Sequence, residues 1–290
     1  MRVAFTSDLH VEHHPDVTRL LVRRLEALAP DILIVAGDIS DDLLVVESTL
    51  RALRPQAARR GLFVPGNHEL WTRGDGTSGA AHTVSSRERY LDALAEHVTA
   101  AGFDYLPAGP VVEAGVGFVG QTGWFDYSLR NRAHDAAISL EVYRRKRFGA
   151  LRWNDGVRVR WPDGAGLLDD PDLSAWMVGR LQADLAAVPG GARVVVTHHL
   201  PFPELVFVRG ALPWDYLNAF LGSRTLGQTI LRAPGVERVV CGHTHARRRA
   251  VLRSADGRRV VAETSPIGYP REYGDDLERR VTHRVSSFMI

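Results

Sequence analysis

The chain has 290 residues, of which 45% are hydrophobic and 24% are charged, and these values are typical of a folded globular protein. Its formal net charge of +2 gives no strong signal for a nucleic-acid partner. A single cysteine excludes an intrachain disulfide, and no apolar run reaches the roughly 18 residues of a membrane span. The sequence enters a predicted strand directly, without a signal peptide, so we expect a cytoplasmic protein.

The first part of the chain alternates between predicted strands and predicted helices. Short β-branched runs predict strands over residues 2–6, 31–36 and 61–64. Apolar residues at helical spacing predict helices over 16–28 and 42–60, between those strands. Such an alternation is typical of a parallel sheet with helices packed on its faces.

A polar loop and a second series of elements follow. Residues 71–81 are rich in Gly, Thr and Ser, and this composition predicts an irregular loop. The same reading of apolar runs predicts further strands at 103–106, 111–113, 116–120, 193–196, 236–241, 248–252 and 259–263. Helices are predicted at 85–101, 173–188 and 223–231. Turns at Gly115 and Gly257 separate two pairs of these strands and predict hairpins.

Five of the predicted strands end in side chains of the kinds that bind metal ions. A glycine after some of these strands allows the backbone to turn sharply. Open α/β sheets place their sites at the carboxyl ends of strands, so we expect these side chains to lie close together. The candidate ligands are Asp8, His10, Asp38, Asn67, His198, His243 and His245.

This set of ligands points to two metal ions. It contains two carboxylates, four imidazoles and one amide oxygen, which is more than the four ligands of a structural zinc site. The set suits two adjacent divalent ions that share a carboxylate, and its nitrogen content favours manganese, iron or zinc over calcium. Two ions roughly 3.5–4 Å apart can clamp a phosphate and activate a bridging water as hydroxide.

Residues 122 to about 170 interrupt the strand and helix rhythm. The segment carries many aromatic residues among arginines, and it is too apolar to be a disordered linker. We interpret it as a capping insertion that covers one side of the site. A single domain over residues 1–290 is expected, because ligands as distant as Asp8 and His245 must meet if they share a site.

The strand ends resemble the five signature blocks of the calcineurin-like metallophosphoesterases. All five blocks occur in order, and those with the patterns Gly-Asn-His-Glu and Gly-His-x-His are the specific ones. The resemblance implies an α/β fold of four layers, an α-β-β-α sandwich in which two mixed sheets pack face to face with helices outside. The blocks are Asp8-Leu9-His10, Gly37-Asp38-Ile39-Ser40-Asp41, Gly66-Asn67-His68-Glu69, Thr197-His198-His199 and Gly242-His243-Thr244-His245.

The resemblance also implies how the ligands divide between the two ions. One ion would be held by Asp8, His10, Asp38 and His245. The other would be held by Asp38, Asn67, His198 and His243, with Asp38 bridging. The family places the first histidine of its fourth block on the metal, which selects His198 and leaves the role of His199 open.

His68 has a different implied role, because the side chains of adjacent residues diverge and Asn67 is the expected ligand. In the family this histidine faces the substrate, and a carboxylate in the position of Asp41 orients it. Such an imidazole would be positively charged near neutral pH and could protonate a leaving oxygen. We therefore assign His68 and Asp41 as catalytic, and we expect Glu69 to brace the loop.

Candidate substrate contacts are Asn67, His68 and Arg247, the last being two residues from His245. The arginine runs at 144–147 and 247–249 could instead be solvated faces. The aromatic residues of the insertion could stack on a base, or could be the packing of the insertion itself.

These features predict a dinuclear metal-dependent hydrolase of small phosphoesters, either a phosphodiesterase or a phosphomonoesterase. A metal-bridging hydroxide would attack phosphorus while His68 assists the leaving group. The start of the chain most resembles bacterial phosphodiesterase-like members. The alternative is a non-catalytic scaffold that retains the fold for protein binding, which the intact pair of His68 and Asp41 argues against. The physiological substrate and the oligomeric state are not determined by the sequence.

Overall fold

The computed structural model describes residues 1–72, 84–164, 166–274 and 276–290. Beyond its first two residues, the irregular loop predicted at 71–81 lies outside this described part of the chain. The helices in chain order are α1 (Val17–Leu28), α2 (Leu43–Leu53), α3 (Ser86–Glu88), α4 (Leu94–Ala100), α5 (Leu140–Arg144), α6 (Asp155–Arg158), α7 (Asp170–Ala187), α8 (Trp214–Leu217), α9 (Arg224–Arg232) and α10 (Leu277–Arg284).

The strands are distributed along the whole sequence. In chain order they are β1 (Arg2–Thr6), β2 (Ile32–Ala36), β3 (Arg60–Val64), β4 (Phe103–Tyr105), β5 (Val111–Glu113), β6 (Val116–Gln121), β7 (Arg147–Phe148), β8 (Leu151–Arg152), β9 (Pro162–Asp163), β10 (Gly166–Leu167), β11 (Arg193–Thr197), β12 (Val236–Cys241), β13 (Arg249–Arg253), β14 (Arg259–Thr264) and β15 (Ser286–Met289).

Two large sheets form the centre of the molecule. The first has the order β15-β1-β2-β3-β4, in which β1 to β4 are parallel and β15 pairs antiparallel with β1 at the edge. The second has the order β13-β14-β12-β11-β6-β5, with four parallel strands at its centre and an antiparallel hairpin at each edge. Both sheets are therefore mixed, as predicted, and the two predicted hairpins are confirmed.

Alternation of side chains along the strands produces the layers. In β1, Phe5 belongs to a buried cluster that also contains Phe118 and Val196 of the second sheet, so this cluster fills the space between the sheets. Ala4, on the opposite face of β1, packs in a cluster with Leu21 of α1 and Leu50 of α2. The outer face of the second sheet packs against α7 and α9. The four-layer α-β-β-α sandwich is thus confirmed.

The helix predicted over 42–60 is shorter in the structure. It begins after Asp42, whose side chain accepts a hydrogen bond from the amide of Leu44, and it ends at Leu53. A short 3-10 turn containing Pro55 follows. Because proline has no amide N–H, Pro55 cannot donate the next helical hydrogen bond, and the helix ends before it.

The segment from 122 to 170 packs its aromatic side chains into the body of the protein. Trp124, Tyr143 and Trp161 are almost completely buried and belong to the cluster that contains α1 and α2. The ring of Tyr143 stacks on that of Tyr216, with 5.2 Å between centroids. Of the two roles that the sequence left open for these aromatic residues, the contacts agree with packing of the segment itself. Among the described residues, none of the helices has the length and apolar character needed to cross a lipid bilayer.

Candidate metal centre

Most of the candidate ligands have an unusual backbone conformation, and they lie at the ends of the central strands. Five of them have positive φ angles, a region that non-glycine residues rarely adopt. Such conformations persist where the surrounding structure over-determines them, and they concentrate at functional sites. The five are Asp8 (54°), His10 (42°), Asp38 (58°), His243 (68°) and His245 (48°).

Glycine is required beside two of these turns. A Cβ atom at Gly66 would lie 2.1 Å from Oδ1 of Asp38, and one at Gly37 would lie 2.7 Å from Nδ1 of His198. Gly37 also has a φ of +82°. The loops after β2 and β3 can therefore approach each other only because these positions have no side chain.

The first group of ligand atoms comes from the loops after β1 and β12. The Nε2 atoms of His10 and His245 lie 3.1 Å apart, and Nε2 of His245 lies 3.4 Å from Oδ1 of Asp8. All three side chains offer an atom within 4.8 Å of the others, which is an arrangement that can hold a metal ion. Asp8 is also fixed by the backbone amide of His243, which donates to its carboxylate at 2.9 Å.

The second group comes from the loops after β2, β3, β11 and β12. Nε2 of His198 lies 3.1 Å from Nδ1 of His243, 3.2 Å from Oδ1 of Asn67 and 3.4 Å from Oδ2 of Asp38. On its other side, Nδ1 of His198 hydrogen-bonds to the carbonyl of Ala36 at 2.8 Å, which orients the ring. Asp38, His198 and His243 again offer atoms within 4.8 Å of one another.

The carboxylate of Asp38 lies between the two groups. Its Oδ2 atom is 3.4 Å from Nε2 of His198 in the second group and 3.9 Å from Nε2 of His10 in the first. The same oxygen is 3.9 Å from Nε2 of His68. One oxygen therefore faces both groups, and this position suits a bridging carboxylate.

The two buried carboxylates remain anionic because they face histidines. Burial raises the pKa of Asp8, but the hydrogen bond and charge of His245 outweigh it and lower the pKa to about 2. Burial also raises the pKa of Asp38, and the charges of His198 and His68 bring it well below its usual range. Anionic oxygens among imidazole nitrogens are a donor set that binds divalent transition metals.

The four imidazoles divide into two kinds. Burial lowers the pKa of His198, yet Asp38 outweighs burial and raises it to about 9. Burial likewise lowers the pKa of His245, while its bonds to Asp8 and Glu272 raise it to about 10. For His10 burial dominates and the pKa falls well below the usual value, and burial together with His198 lowers the pKa of His243 to about 3. Each group thus contains one neutral imidazole and one that is paired with a carboxylate.

Glu69 fastens the loops that carry Asp38 and Asn67. Its buried carboxylate accepts hydrogen bonds from four backbone amides, at distances of 2.5 to 3.2 Å. The donors are the amides of Asp38, Ile39, Ser40 and Gly66. These bonds agree with the bracing role expected of Glu69.

The segment after β14 contributes two site residues that sequence reasoning missed. The ring of Tyr269 stacks on that of His10, with 4.3 Å between centroids, and its hydroxyl lies 3.4 Å from Nε2 of His68. The carboxylate of Glu272 accepts a hydrogen bond from Nδ1 of His245 at 2.9 Å. The only signal in the sequence is that both residues follow a predicted strand.

A third missed residue comes from the segment over 122–170. The carboxylate of Asp155 accepts hydrogen bonds from the side chains of Asn67, Trp71 and Trp153. Trp153 in turn meets the ring of His243 edge-on, with 5.7 Å between centroids. This segment therefore contacts residues of the second group.

Other predicted residues have different surroundings. The guanidinium of Arg247 donates to the carbonyl of His283 and to Oγ of Ser286, so a role at the substrate would require it to leave these contacts. The His68 ring contacts His10, Trp71 and the hydroxyl of Tyr269, and its pairing with Asp41 stays a prediction. His199 is buried beside Trp124 and His243, outside both groups.

Comparison with known proteins adds independent observations. A family model described as calcineurin-like phosphoesterase matches residues 1–247, a range that contains all seven candidate ligands. A phosphopantetheinyl hydrolase from Mycobacterium tuberculosis has a similar structure, with a TM-score of 0.71 and 23% identity over 99% of this chain and 95% of that one. The structure of TT1561 from Thermus thermophilus gives a TM-score of 0.53 and 11% identity over 99% of this chain and 97% of that one. No curated protein shows significant sequence similarity to the chain.

Proposed function

The chain belongs to the calcineurin-like phosphoesterase family and is a metal-dependent phosphoester hydrolase, and on that premise we propose that its centre is dinuclear. The observation that carries this proposal is the position of Asp38, whose Oδ2 atom faces His198 and His10 at 3.4 and 3.9 Å. A single carboxylate oxygen between two groups of nitrogen and oxygen donors supports a shared ligand between two ions.

The side chains present fit two divalent ions, of which manganese, iron and zinc are the candidates. In each group two imidazole nitrogens lie 3.1 Å apart and converge on a common point, with a carboxylate oxygen 3.4 Å from one of them. One ion would be held by Asp8, His10, Asp38 and His245, and the other by Asp38, Asn67, His198 and His243. Ions bound there would neutralise phosphoryl oxygens and make a water nucleophilic at neutral pH.

His68 is the candidate proton donor. Its Nε2 atom lies 3.9 Å from Oδ2 of Asp38, the oxygen that faces both groups, and 3.4 Å from the hydroxyl of Tyr269. Trp71 stacks on a face of this ring, with 3.8 Å between centroids, and limits its rotation. A protonated Nε2 held there would donate to the leaving oxygen as the bond from phosphorus breaks.

The substrate belongs to one of two chemical classes, phosphomonoesters or phosphodiesters. A phosphopantetheinyl ester is a useful third probe, since one protein of similar fold is named a phosphopantetheinyl hydrolase. Aryl esters report the chemistry with little demand on recognition, while the phosphopantetheinyl ester tests recognition of a larger substrate.

The experiment compares turnover of p-nitrophenyl phosphate, bis-p-nitrophenyl phosphate and a phosphopantetheinyl ester by metal-free protein, before and after addition of Mn²⁺. We expect turnover of at least one ester that appears with Mn²⁺ and disappears on chelation. His198→Ala should abolish it, whereas His283→Ala, at an exposed histidine far along the chain, should not. Folded protein that binds Mn²⁺ but hydrolyses none of the esters would favour the non-catalytic scaffold instead.

A further inference from the structure

We propose that Asp155 is a positioning residue that fixes the amide of Asn67 in its metal-binding orientation. This inference rests on the proposed function, in which the amide oxygen of Asn67 is a ligand of the second ion. It assigns a role to a carboxylate that lies outside all five signature blocks and is contributed by the segment over 122–170.

Three side-chain N–H groups converge on this carboxylate. Oδ1 of Asp155 accepts from Nδ2 of Asn67 at 2.9 Å and from Nε1 of Trp71 at 2.6 Å. Oδ2 accepts from Nε1 of Trp153 at 2.7 Å. The residue is only 3% exposed, so water does not compete for these bonds. Three N–H donors give this buried carboxylate one preferred orientation.

The consequence for Asn67 follows from the chemistry of an amide. The oxygen and the NH2 group of its side chain are nearly equal in size, so shape alone does not decide which of them faces the metal ions. A carboxylate only accepts hydrogen bonds, so the NH2 group must turn toward Asp155. The oxygen is then directed to the other side, where it lies 3.2 Å from Nε2 of His198. Metal ions bind the amide oxygen and not the NH2 group.

The same carboxylate also holds two tryptophan side chains that contact residues of the centre. Trp71, one of its donors, stacks on His68 with 3.8 Å between ring centroids and 26° between planes. Trp153, another donor, meets His243 edge-on. One buried side chain therefore links a ligand, the candidate proton donor and a second ligand histidine.

The backbone around Asp155 is docked independently of its side chain. The carbonyl of Arg158 accepts from the amide of Thr72 at 2.8 Å, and the carbonyl of Arg160 accepts from the amide of Ser86 at 2.9 Å. These bonds tie the segment to the loop after β3 and to the start of α3. Substitutions of the Asp155 side chain should therefore leave the segment in place.

The test measures Mn²⁺ binding to metal-free protein by calorimetry in Asp155→Asn, Asp155→Ala, Asn67→Ala and the double variants. Loss of a residue that orients a metal ligand typically weakens binding about 10–100-fold. We expect such a loss for one of two ions in Asp155→Ala, and a smaller loss in Asp155→Asn, which keeps one acceptor oxygen. The matched control is Asp135→Asn, an exposed carboxylate of the same segment that pairs with Arg130, and it should bind as the wild type does.

The double variants separate positioning from a general structural effect. In the Asn67→Ala background the substitutions of Asp155 should weaken Mn²⁺ binding much less than in the wild type, because the main ligand that they misorient is already gone. Unchanged affinity in Asp155→Asn and Asp155→Ala, or an equal loss with and without Asn67, would overturn the inference. If Asp155→Ala does not fold, the pair of Asp155→Asn variants decides. Wild-type protein that binds no second ion would instead contradict the proposed dinuclear centre.

Discussion

The carboxylate of Glu272 accepts a hydrogen bond from Nδ1 of His245, with 2.9 Å between Oε1 and Nδ1. Because a carboxylate can only accept, Nδ1 must carry a proton, and Nε2 is the nitrogen left to face the first group. That atom lies 3.1 Å from Nε2 of His10 and 3.4 Å from Oδ1 of Asp8. Carboxylates that orient metal-binding histidines in this way raise the basicity of the ligand and fix its tautomer.

Glu272→Gln should therefore weaken metal binding at the first group. The glutamine keeps the shape of the side chain but loses its charge and can turn an NH2 group toward His245. We expect about 10–100-fold weaker Mn²⁺ binding at one of the two sites, as is typical for such outer partners. Calorimetric titration measures this, and Glu278→Gln, an exposed residue of α10, is the matched control. Equal affinities in the two variants would show that Glu272 does not support the ligand.

Some residues of the candidate site could be predicted from the sequence, and others could not. The close approach of the seven candidate ligands could be predicted because each follows a strand whose apolar run is local, and a parallel sheet brings the carboxyl ends of such strands together. Glu272, Tyr269 and Asp155 could not, because their contacts with the site depend on where distant loops return. Tyr269 and Glu272 also lie beyond residues 1–247, which match the family model.

Arg247 shows a different limit. Its charge and its closeness to His245 in the chain suggested a phosphate contact, yet its guanidinium donates to His283 and Ser286 near the carboxyl end of the chain. Closeness to a ligand along the chain does not determine where a long side chain is directed. The elements that receive it, α10 and β15, were not predicted, because they are short and carry few apolar residues.

Metal binding should release protons. The pKa of His198 is raised to about 9 and that of His245 to about 10 in the metal-free protein, so both imidazoles are protonated at pH 8. A metal ion binds only the unprotonated nitrogen, so about two protons should leave for each dinuclear centre filled. Calorimetry in buffers of different ionisation enthalpy measures this number.

The sign of the pH dependence follows from the same values. Apparent affinity for Mn²⁺ should rise as pH increases from 7 to 9, since fewer protons remain to be displaced. In the metal-free protein the two raised pKa values stabilise the fold below about pH 6.5, and this contribution is lost as pH rises through 9 and 10. Binding heats that do not depend on the buffer would contradict the assignment of these histidines as ligands.

Substitutions of the two carboxylates should separate the two sites. Asp38→Asn alters the oxygen that faces both His198 and His10, so both ions should bind more weakly. Asp8→Asn alters a residue that belongs only to the first group, so one ion should remain. Elemental analysis of gently purified protein should give about two transition-metal ions per chain in the wild type. Full activity with one tightly bound ion would contradict the dinuclear centre.

The role of His68 can be tested through the leaving group. Both proposed ligand sets are complete without His68, so His68→Ala should keep both metal ions. A general acid contributes about 10²–10⁴-fold, and it contributes most where the leaving oxygen is strongly basic. His68→Ala should therefore lose activity strongly on an alkyl phosphoester and less on an ester of p-nitrophenol, which needs little protonation. Asp41→Asn should show the same pattern more weakly if that carboxylate orients the ring.

Two outcomes would revise this assignment, and each has a distinct structural meaning. Loss of a metal ion in His68→Ala would show that His68 is a ligand. This outcome is a real alternative, because His68, His10 and Asp38 also offer donor atoms within 4.8 Å of one another. Equal loss on both leaving groups, with metals retained, would leave His68 as an electrostatic contact of the phosphoryl oxygens. Tyr269→Phe extends the comparison, because it removes the hydroxyl that lies 3.4 Å from Nε2 of His68 but keeps the ring stacked on His10. If that hydroxyl helps to hold the imidazole, Tyr269→Phe should reproduce part of the loss on the alkyl ester alone.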